Sequence, residues 1–550
     1  MLMDPASGYL SMDIGGRKVP VYSVLSSQGV TDDEMKASWG PEVFAASKAK
    51  AKPEKDVRSF YAGWKGTELD EKSNAQMAVK DLLAGTRMDP LVAKANLGRE
   101  TDTVDHDVLL RAAGKLVDVS AGRRTADPID SLRYKELWTA ADQFAERIEK
   151  SSRDITGRVR SALGNKKTQD RLRAGDTSVL RDVVAPDLIQ RPLFYTFSTS
   201  LAANGKQTNP LSMLADKSMT TIMGPGGIQN QHAISNSNTA IDPSHLGYLD
   251  PVFTPESNPG VNTHLTAGVK IKDKKPFIRL YNIQTGKMED VDAAQASTSH
   301  VVLPDQVKWN NGKPTPLGGT VRVADADGDI RDDIAFGKAH YVMPSSAQVF
   351  ALETNLVPFM QNDSAGRTTM SARHMAQSIS IVGREAPAVQ VEAGGGETFE
   401  RIVGSNFLAH KSPIDGVIKA VGADNIVVQG ADGKRHDIHI YDHYPLNDKK
   451  AQLHSTANVK VGDTVKKGQG VADNNYTKDG DLALGTNLRT AYIANGLNHE
   501  DGIVISESAA AKMGSEHLYK PSMLVQESTI IGKKEFLLQK PTSYGKAAIE

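Results

Sequence analysis

Two adjacent carboxylates near the end of the chain have the chemistry of a binding site. Glu500 and Asp501 stand directly before Gly502 and the apolar run Ile503-Val504-Ile505. That run is short and β-branched and follows a glycine, so it predicts a buried strand. Two carboxylates at the entrance of a strand can face a metal ion or a polyphosphate through bound water. The alternative is a solvated acidic turn, because paired carboxylates mark functional sites only on a statistical basis.

A single arginine offers a second kind of chemistry. The sequence around Arg367 predicts a helix capped by Asp363, with Met370, His374 and Gln377 on roughly the same side as the arginine. A guanidinium presented on such a face offers a fork of donors to phosphate oxygens. The alternative is a surface helix that carries an incidental arginine.

A glycine-rich turn offers a third kind of binding chemistry, the close approach of backbone to a ligand. Met223-Gly-Pro-Gly-Gly-Ile228 follows Asn209-Pro-Leu-Ser212 after a predicted short helix. Glycines allow a backbone to approach a ligand closely, although such a turn is more often only a turn.

The elements that must position these residues follow from periodicity and turn chemistry. Gly15-Gly16 predicts a hairpin between Tyr9–Asp13 and Lys18–Leu25. Residues 41–120 are predicted to be mostly helices with loops, residues 186–270 to be rich in loops, and residues 268–345 to alternate short strands and turns. A long helix is predicted to open at Asp130 or Ser131, with an apolar stripe at 3- and 4-residue spacing: Tyr134, Leu137, Ala141, Phe144 and Ile148.

A β module is predicted over residues 411–475. Residues 416–421, 425–429 and 436–441 alternate as half-buried strands, with residues 431–434 as a hairpin turn. Its Ser-Pro-Ile-Asp-Gly-Val and Val-Gly-Asp-Thr-Val-Lys-Lys-Gly phrases also resemble a lipoyl or biotinyl carrier domain. The flanking pattern of a carrier's modified lysine is missing.

Composition excludes some classes of protein and leaves others open. The 550 residues hold 65 Lys and Arg against 66 Asp and Glu, so nucleic-acid binding would need local basic patches. The absence of cysteine excludes disulfides and cysteine-ligated zinc. No apolar run approaches the roughly 18 residues of a membrane span, so no membrane partner is expected.

Four stretches, taken in order, resemble the beta subunit of multisubunit DNA-directed RNA polymerase. They are Asn209-Pro-Leu-Ser with Gly-Pro-Gly-Gly at the family's separation, the ungapped stretch 355–377, Asp479-Gly-Asp-Leu-Ala-Leu-Gly, and Asn498-His-Glu-Asp. Departures exist, since His499 replaces an aromatic residue and residues 229–232 replace the family's arginines. The N-terminal and central portion of a strongly diverged beta subunit is therefore expected.

The resemblance implies an α+β multidomain fold. The implied segments are a lobe- or protrusion-like α+β region over 1–185, a fork and hybrid-lining region over 186–350, the start of a double-psi β-barrel with a nucleotide-site helix over 351–410, a sandwich-barrel hybrid β module over 411–480, and a return to the barrel with an acidic loop over 481–550.

The same resemblance implies nucleotidyl transfer in template-directed RNA synthesis. Arg367, Glu500 and Asp501 would be the catalytic residues, and the two carboxylates would hold the second Mg²⁺ through water. The main Mg²⁺ would be held by a beta-prime-type partner. The residues expected to bind substrate or the RNA–DNA hybrid are Gln377, Met370, Lys206, Asn209, Gly226 and Gly227.

Further expectations concern the assembly. The family's active-site lysines and carboxy-terminal segment have no counterpart here, so either a split subunit, as in giant bacteriophages, or a truncated chain is expected. The chain alone would be inactive. Its partners would be a polypeptide with the rest of the beta subunit, beta-prime-type subunits, template DNA, RNA transcript and nucleoside triphosphates. Its location would be the cytoplasm, or the host cytoplasm or virion if a phage encodes it.

Overall fold

The chain divides into two units in the computed structural model. The first comprises Met1–Ala203 and Met219–Ala351, and the second Asn204–Ser218 and Leu352–Glu550. The described residues are 1–518 without 129, 185–186, 199–201, 203, 225–226, 256–257, 325–329, 447–449, 494–495, 497–498 and 500–501.

The first unit begins with a small antiparallel sheet covered by helices. The predicted hairpin is confirmed, with Leu10–Ile14 paired to Arg17–Pro20 and both turn glycines in the left-handed region. A β-carbon on Gly15 would lie 2.5 Å from the Gly63 carbonyl oxygen, so a helix crosses the hairpin at this turn. The remaining elements are the strand Leu2–Met3 and the helices Val21–Ser27, Asp32–Trp39, Pro41–Ala49, Pro53–Lys65, Ala75–Ala84, Pro90–Leu97 and His106–Ser120.

The second predicted strand of this hairpin is too long. The strand ends at Pro20 and the chain continues as the helix Val21–Ser27, whose first five residues are all buried. A continuous apolar run fits a buried helix as well as a buried strand, so periodicity does not separate the two. The helix packs into a core that includes Met35, Trp39 and Phe60.

The long basic helix begins later than predicted. It spans Ala140–Gly164, with Thr139 and Asp142 forming a reciprocal capping box. Ser131 instead caps the 3₁₀ turn Leu132–Tyr134, so the first two members of the predicted stripe precede the helix. The capping box ends the extended segment at Thr139. The helices that follow are Lys166–Arg173, Val179–Val183 and Asp187–Phe197.

The predicted strands between 268 and 345 form one seven-stranded sheet. Its order is Ile330–Ala335, Thr320–Ala324, Val301–Val302, Tyr341–Val342, Lys275–Asn282 and Lys270–Lys272, with Lys287–Asp292 also on Lys275–Asn282. Only the pair between Tyr341–Val342 and Val301–Val302 is parallel among these strands. The unit also contains the hairpin of Val307–Asn310 with Lys313–Pro316, the antiparallel pair of Met219–Thr221 with Asn262–His264, and the helix Ala293–Ala296. Its 3₁₀ turns are Gln231–Ala233, Asn236–Thr239, Pro243–His245, Pro304–Gln306, Phe336–Lys338 and Ser346–Val349.

The second unit joins a helical cluster to the β module. Its helices are Pro210–Ser218, Leu352–Asn355, Ala365–Gln377, Phe399–Val403 with the π-helical turn Gly404–Leu408, and Glu507–Lys512, with a 3₁₀ turn at Met360–Asn362. The first three pack against one another.

The three predicted strands of the β module are confirmed. A four-stranded sheet has the order Arg435–His439, Asn425–Gly430, Gly416–Val421 and Thr464–Val465, and a second sheet has the order His410–Lys411, Gly470–Asn474 and Ser455–Ala457. Ile418, Ile426, Val428 and Val471 form its fully buried centre. Short pairs are Glu392–Gly394 with Glu397–Thr398, Tyr444–Pro445 with Gln452–Leu453, and Thr477–Lys478 with Asp481–Leu482.

The mixed α+β class is confirmed, but the named barrels stay predictions. Among the described residues every sheet is open. The five predicted segments also stay predictions. None of the described helices is long and apolar enough to cross a membrane.

The predicted buried strand at residues 503–505 is wrong. Ile503, Val504 and Ile505 are 85%, 56% and 48% exposed and belong to no strand. A β-branched run forms a strand only where another strand supplies hydrogen bonds, and no described residue pairs with these three.

Candidate functional site

A short capped helix presents the predicted arginine. Ser364 precedes the helix Ala365–Gln377, hereafter the Arg367 helix, and its hydroxyl accepts a hydrogen bond from the Arg367 backbone N–H at 3.4 Å. Asp363 was the predicted cap, and its carboxylate instead accepts from the Ser364 N–H at 2.8 Å. Both residue types cap helices, and only the backbone turn decides between neighbours.

One face of this helix is exposed and the other is buried. The exposed face carries the residues that spacing placed together: Arg367, Met370, His374 and Gln377. The buried face is made of small side chains: Thr368, Thr369, Ala372 and Ala376. Small buried residues let the helix pack closely on the unit, so the four larger side chains face outward on a rigid support.

The Arg367 side chain is available to an anionic ligand. Within the described part of the chain its polar contact is with the Met370 sulfur, at 3.9 Å from Nη1, and no described carboxylate lies within ion-pair distance of it. It stands in the first turn, where the partial positive charge of the helix terminus adds to its own charge. The arrangement favours binding of phosphate or carboxylate oxygens.

Asn209 holds the far end of the same helix. Its Nδ2 donates to the carbonyl oxygens of Met375 and Ser378, both at 2.8 Å, and its Oδ1 accepts from the Ser212 N–H at 2.9 Å. The residue is fully buried. One side chain thus caps the amide end of the helix Pro210–Ser218 and adds a donor at the carbonyl end of the Arg367 helix, where the Met375 carbonyl also accepts from Ser378. Asn209 acts on this surface through the backbone that it positions.

The loop that carries Lys206 is tied to the same unit. The Lys206 N–H donates to the Asp216 carboxylate at 2.6 Å, while its side chain is exposed. The Tyr476 hydroxyl donates to the Thr208 carbonyl at 3.1 Å, and burial raises the pKa of Tyr476 to about 12. Because the phenol stays protonated at any physiological pH, this hydrogen bond is constant.

Gly227 lies in the first unit, at a position where a side chain would not fit. A β-carbon at this position would come 2.1 Å from the Ile222 carbonyl oxygen, and the Gly227 N–H donates to Gly224 at 3.0 Å. Gly226 lies outside the described residues, as do Glu500 and Asp501. The predicted carboxylate site therefore stays a prediction.

A carboxylate that the sequence did not single out connects three distant segments. Glu385 pairs with Lys512 at 2.5 Å and accepts from the Asn487 N–H at 2.9 Å. The hydrogen bond from Lys512, followed by that from Asn487, lowers the pKa of Glu385 to about 2. More than a hundred residues separate Glu385 from Asn487 and from Lys512 along the chain, so no local pattern indicates the cluster.

Backbone pairing extends this connection toward the Arg367 helix. Val382 donates to the Gly514 carbonyl at 2.8 Å, and Glu516 donates to the Ser380 carbonyl at 2.9 Å. A β-carbon on Gly383 would lie 2.4 Å from the Lys512 carbonyl oxygen. The segment that leaves the Arg367 helix is thus packed against residues 512–516, which follow the predicted acidic loop in the chain.

Comparison with known proteins identifies relatives of one kind. No protein-family model matches the chain. It is 28% identical over 410 residues to the DNA-directed RNA polymerase subunit beta of Mycoplasma capricolum, covering 72% of this chain and 30% of the relative. The subunits of Prochlorococcus marinus and Bdellovibrio bacteriovorus are each 27% identical over 432 and 421 residues, covering 76% and 74% of this chain and 37% and 28% of those proteins. The predicted resemblance to the beta subunit is confirmed, and the chain spans about a third of the length of these relatives.

Proposed function

We propose that this beta-type homologue serves as a subunit, or part of a subunit, of a DNA-directed RNA polymerase, where it helps to bind the nucleoside triphosphate and the RNA–DNA hybrid. The observation that carries the proposal is the exposed face of the Arg367 helix, with an arginine free of described carboxylates in its first turn. Homology over about three quarters of the chain supports it. The carrier-domain alternative has no support among the relatives.

The chemistry proposed for the assembly is nucleotidyl transfer. The 3′ hydroxyl of the RNA attacks the α-phosphate of the incoming nucleotide, and negative charge moves onto the departing pyrophosphate. Arg367 would hold triphosphate oxygens with two parallel N–H donors and so stabilise this charge. This task requires no proton transfer by the arginine, only position and charge.

The other predicted residues have supporting parts in the proposal. Gln377 and Met370 share the exposed face with Arg367, so they are proposed to contact the hybrid or the nucleotide beside it. An amide offers both donor and acceptor, and a thioether adapts its shape to a neighbouring base. Lys206, Gly226 and Gly227 are proposed to approach the nucleic-acid backbone, the lysine by charge and the glycines by their small size.

The described residues do not fit a Mg²⁺ site. Among them, the one group of three close ionisable ligands contains two imidazoles, whereas Mg²⁺ prefers oxygen ligands in octahedral geometry. Glu500 and Asp501 remain the proposed residues for a second Mg²⁺, and the principal ion is proposed to reside in a beta-prime-type partner. No step of this mechanism is assigned to the ion.

The proposed partners are a polypeptide with the rest of the beta subunit, beta-prime-type subunits, template DNA and transcript. Identities of 26–28% indicate strong divergence, which supports the finer proposal of a split subunit of the giant-bacteriophage type. Its site of action would then be the host cytoplasm or the virion.

Replacing Arg367 tests the proposal directly. In the polymerase assembled with its other subunits, Arg367→Ala should lower kcat/KM for nucleotides, because charge-assisted donors to the triphosphate are lost. The fall should correspond to a loss of about 2–4 kcal/mol of transition-state stabilisation. Arg367→Lys keeps the charge without the fork and should fall between alanine and wild type.

Single-nucleotide addition at limiting nucleotide measures the effect, and Arg435→Ala, another exposed arginine of the same unit, is the matched control. Unchanged kinetics in Arg367→Ala, or equal losses in both variants, would refute the proposed contact.

A further inference from the structure

Three side chains at the base of a short hairpin in the second unit converge outside the surface described above. Tyr444–Pro445 pairs with Gln452–Leu453, with Tyr444 opposite Leu453. The next residues outward are His443 on one side and His454 on the other, so the register places the two imidazoles opposite each other. Asp442 lies beside them. Hereafter these three residues are the His–Asp cluster.

The ligand atoms of this cluster face one another. The Asp442 Oδ1 lies 3.9 Å from His443 Nε2 and 3.7 Å from His454 Nδ1. The three ligand atoms all lie within 4.8 Å of one another. The rings are stacked, with centroids 4.0 Å apart and planes 10° from parallel. His443 has a φ of +46°, which is uncommon for a residue with a β-carbon and holds its side chain in this position.

Hydrogen bonds define the state of the two nitrogens that face Asp442. His443 Nδ1 lies 2.8 Å from the Gln452 amide oxygen, which can only accept, so the ring proton is on Nδ1 and the lone pair on Nε2. Metal-binding histidines are oriented in the same way as His443, by a partner for the second ring nitrogen. His454 Nδ1 accepts a long hydrogen bond, 3.4 Å, from the His443 backbone N–H, so an ion bound at this nitrogen would replace that hydrogen bond.

A buried asparagine fixes the strand that carries His454. Asn475, 2% exposed, accepts from the His454 N–H at 3.1 Å and donates from its own backbone to the His454 carbonyl at 2.9 Å. Its Nδ2 donates to the Gln452 carbonyl at 3.0 Å. The backbones of His454, a proposed ligand, and of Gln452, which orients His443, are therefore held before any ion binds. This reduces the ordering cost of binding.

The electrostatics favour the neutral imidazole that a metal requires. Burial, followed by the nearby His443, lowers the pKa of His454, and Arg384 acts in the same direction while Asp442 and Glu516 oppose it. The carboxylate supplies the negative charge.

We propose that the His–Asp cluster binds a borderline divalent cation, for which Zn²⁺ is the best match. Two imidazoles and one carboxylate form a common zinc ligand set, with the fourth tetrahedral position open to water or to a further ligand. Bonds of about 2.0–2.1 Å put tetrahedral ligand atoms about 3.3 Å apart. The separations of 3.7 and 3.9 Å therefore have to shorten, and the stacked imidazoles have to tilt so that both lone pairs point to one ion. This inference is independent of the proposed polymerase function.

The test is metal titration of the purified full chain after treatment with a chelator. Co²⁺, whose visible absorption reports tetrahedral coordination, should saturate at one equivalent and be displaced by Zn²⁺. Asp442→Asn, His443→Ala and His454→Ala should each weaken binding at least about tenfold. His439→Ala, an exposed histidine on a neighbouring strand, should leave binding unchanged.

Two results would overturn the proposal. One is the absence of saturable Co²⁺ absorption at one equivalent. The other is equal affinity in the wild type and in Asp442→Asn, which preserves the size of an exposed side chain and so leaves folding intact. Circular dichroism of each variant identifies any histidine replacement that fails to fold, and Asp442→Asn then decides the outcome.

Discussion

Arg367 and Asn209 serve one surface in different ways. Arg367 is exposed in the first turn of its helix, whereas Asn209 is fully buried below the last turn. Asn209 makes hydrogen bonds with both its donor and its acceptor ends inside the protein. A substitution at Arg367 should therefore change ligand binding, while one at Asn209 should change the stability and alignment of the helix that carries the arginine.

Asn209→Ala should lower the free energy of unfolding by about 2–4 kcal/mol, since it removes a helix cap and the amide donor that the Met375 and Ser378 carbonyl oxygens share. Asn209→Asp keeps the acceptor toward Ser212 but turns a carboxylate oxygen toward the Met375 and Ser378 carbonyls, so it should destabilise at least as much. Urea denaturation measures both, with the exposed Asn204→Ala as control. If Asn209→Asp lowered the free energy of unfolding only slightly, the role of Asn209 would be limited to capping the helix Pro210–Ser218.

At the scale of elements, the second unit depends on connections between segments far apart in sequence. The cluster of Glu385, Asn487 and Lys512 joins the segment after the Arg367 helix to the loop at Asn487 and to the helix Glu507–Lys512. No single element in this group is long, so hydrogen bonds and charge contribute much of their alignment.

The Glu385 carboxylate predicts a pH dependence of unfolding. Its pKa is about 2 in the folded chain, below the ordinary value of 4.5, so the folded state prefers the ionised form. The stabilisation is present above about pH 4.5 and is lost as the pH falls toward 2. The melting temperature of wild type should exceed that of Glu385→Gln near neutral pH, and the difference should shrink within this window.

Thermal melts from neutral pH to pH 3 measure that difference, with the exposed Glu397→Gln as control. A gap between wild type and Glu385→Gln that is constant over this range would show that the carboxylate charge does not contribute.

At the scale of the whole molecule, the chain matches about a third of each relative's length. Under the proposed function, the residues that bind the principal catalytic metal are on other polypeptides. The described part of this chain has an exposed arginine on the Arg367 helix but no oxygen-rich metal cluster.

The purified chain should therefore add no nucleotide to an RNA primer on a DNA template, and addition of the partner subunits should produce synthesis. Primer extension with labelled nucleotides measures this, and assembly with Arg367→Ala is the control for a contribution of this chain. RNA synthesis by the homogeneous chain alone would contradict the division of the active site among polypeptides.

The sequence by itself determined the features that depend on neighbouring residues. The Gly15-Gly16 hairpin, the strands of the β module and the shared face of Arg367, Met370 and Gln377 all follow from turn chemistry or periodicity. The resemblance to the beta subunit also came from short sequence motifs, because such motifs occur in the same order along the chain even where overall identity is low.

Only the tertiary structure decided what depends on partners distant in the chain. The apolar run at Val21 became a helix because it packs into a core, and the run at Ile503 is exposed because no described strand pairs with it. Asn209 turned inward because two helix ends meet around it, and His443 met His454 through hairpin register. Residue type states which contacts a side chain can make, but the choice among them is made by groups that the fold brings together.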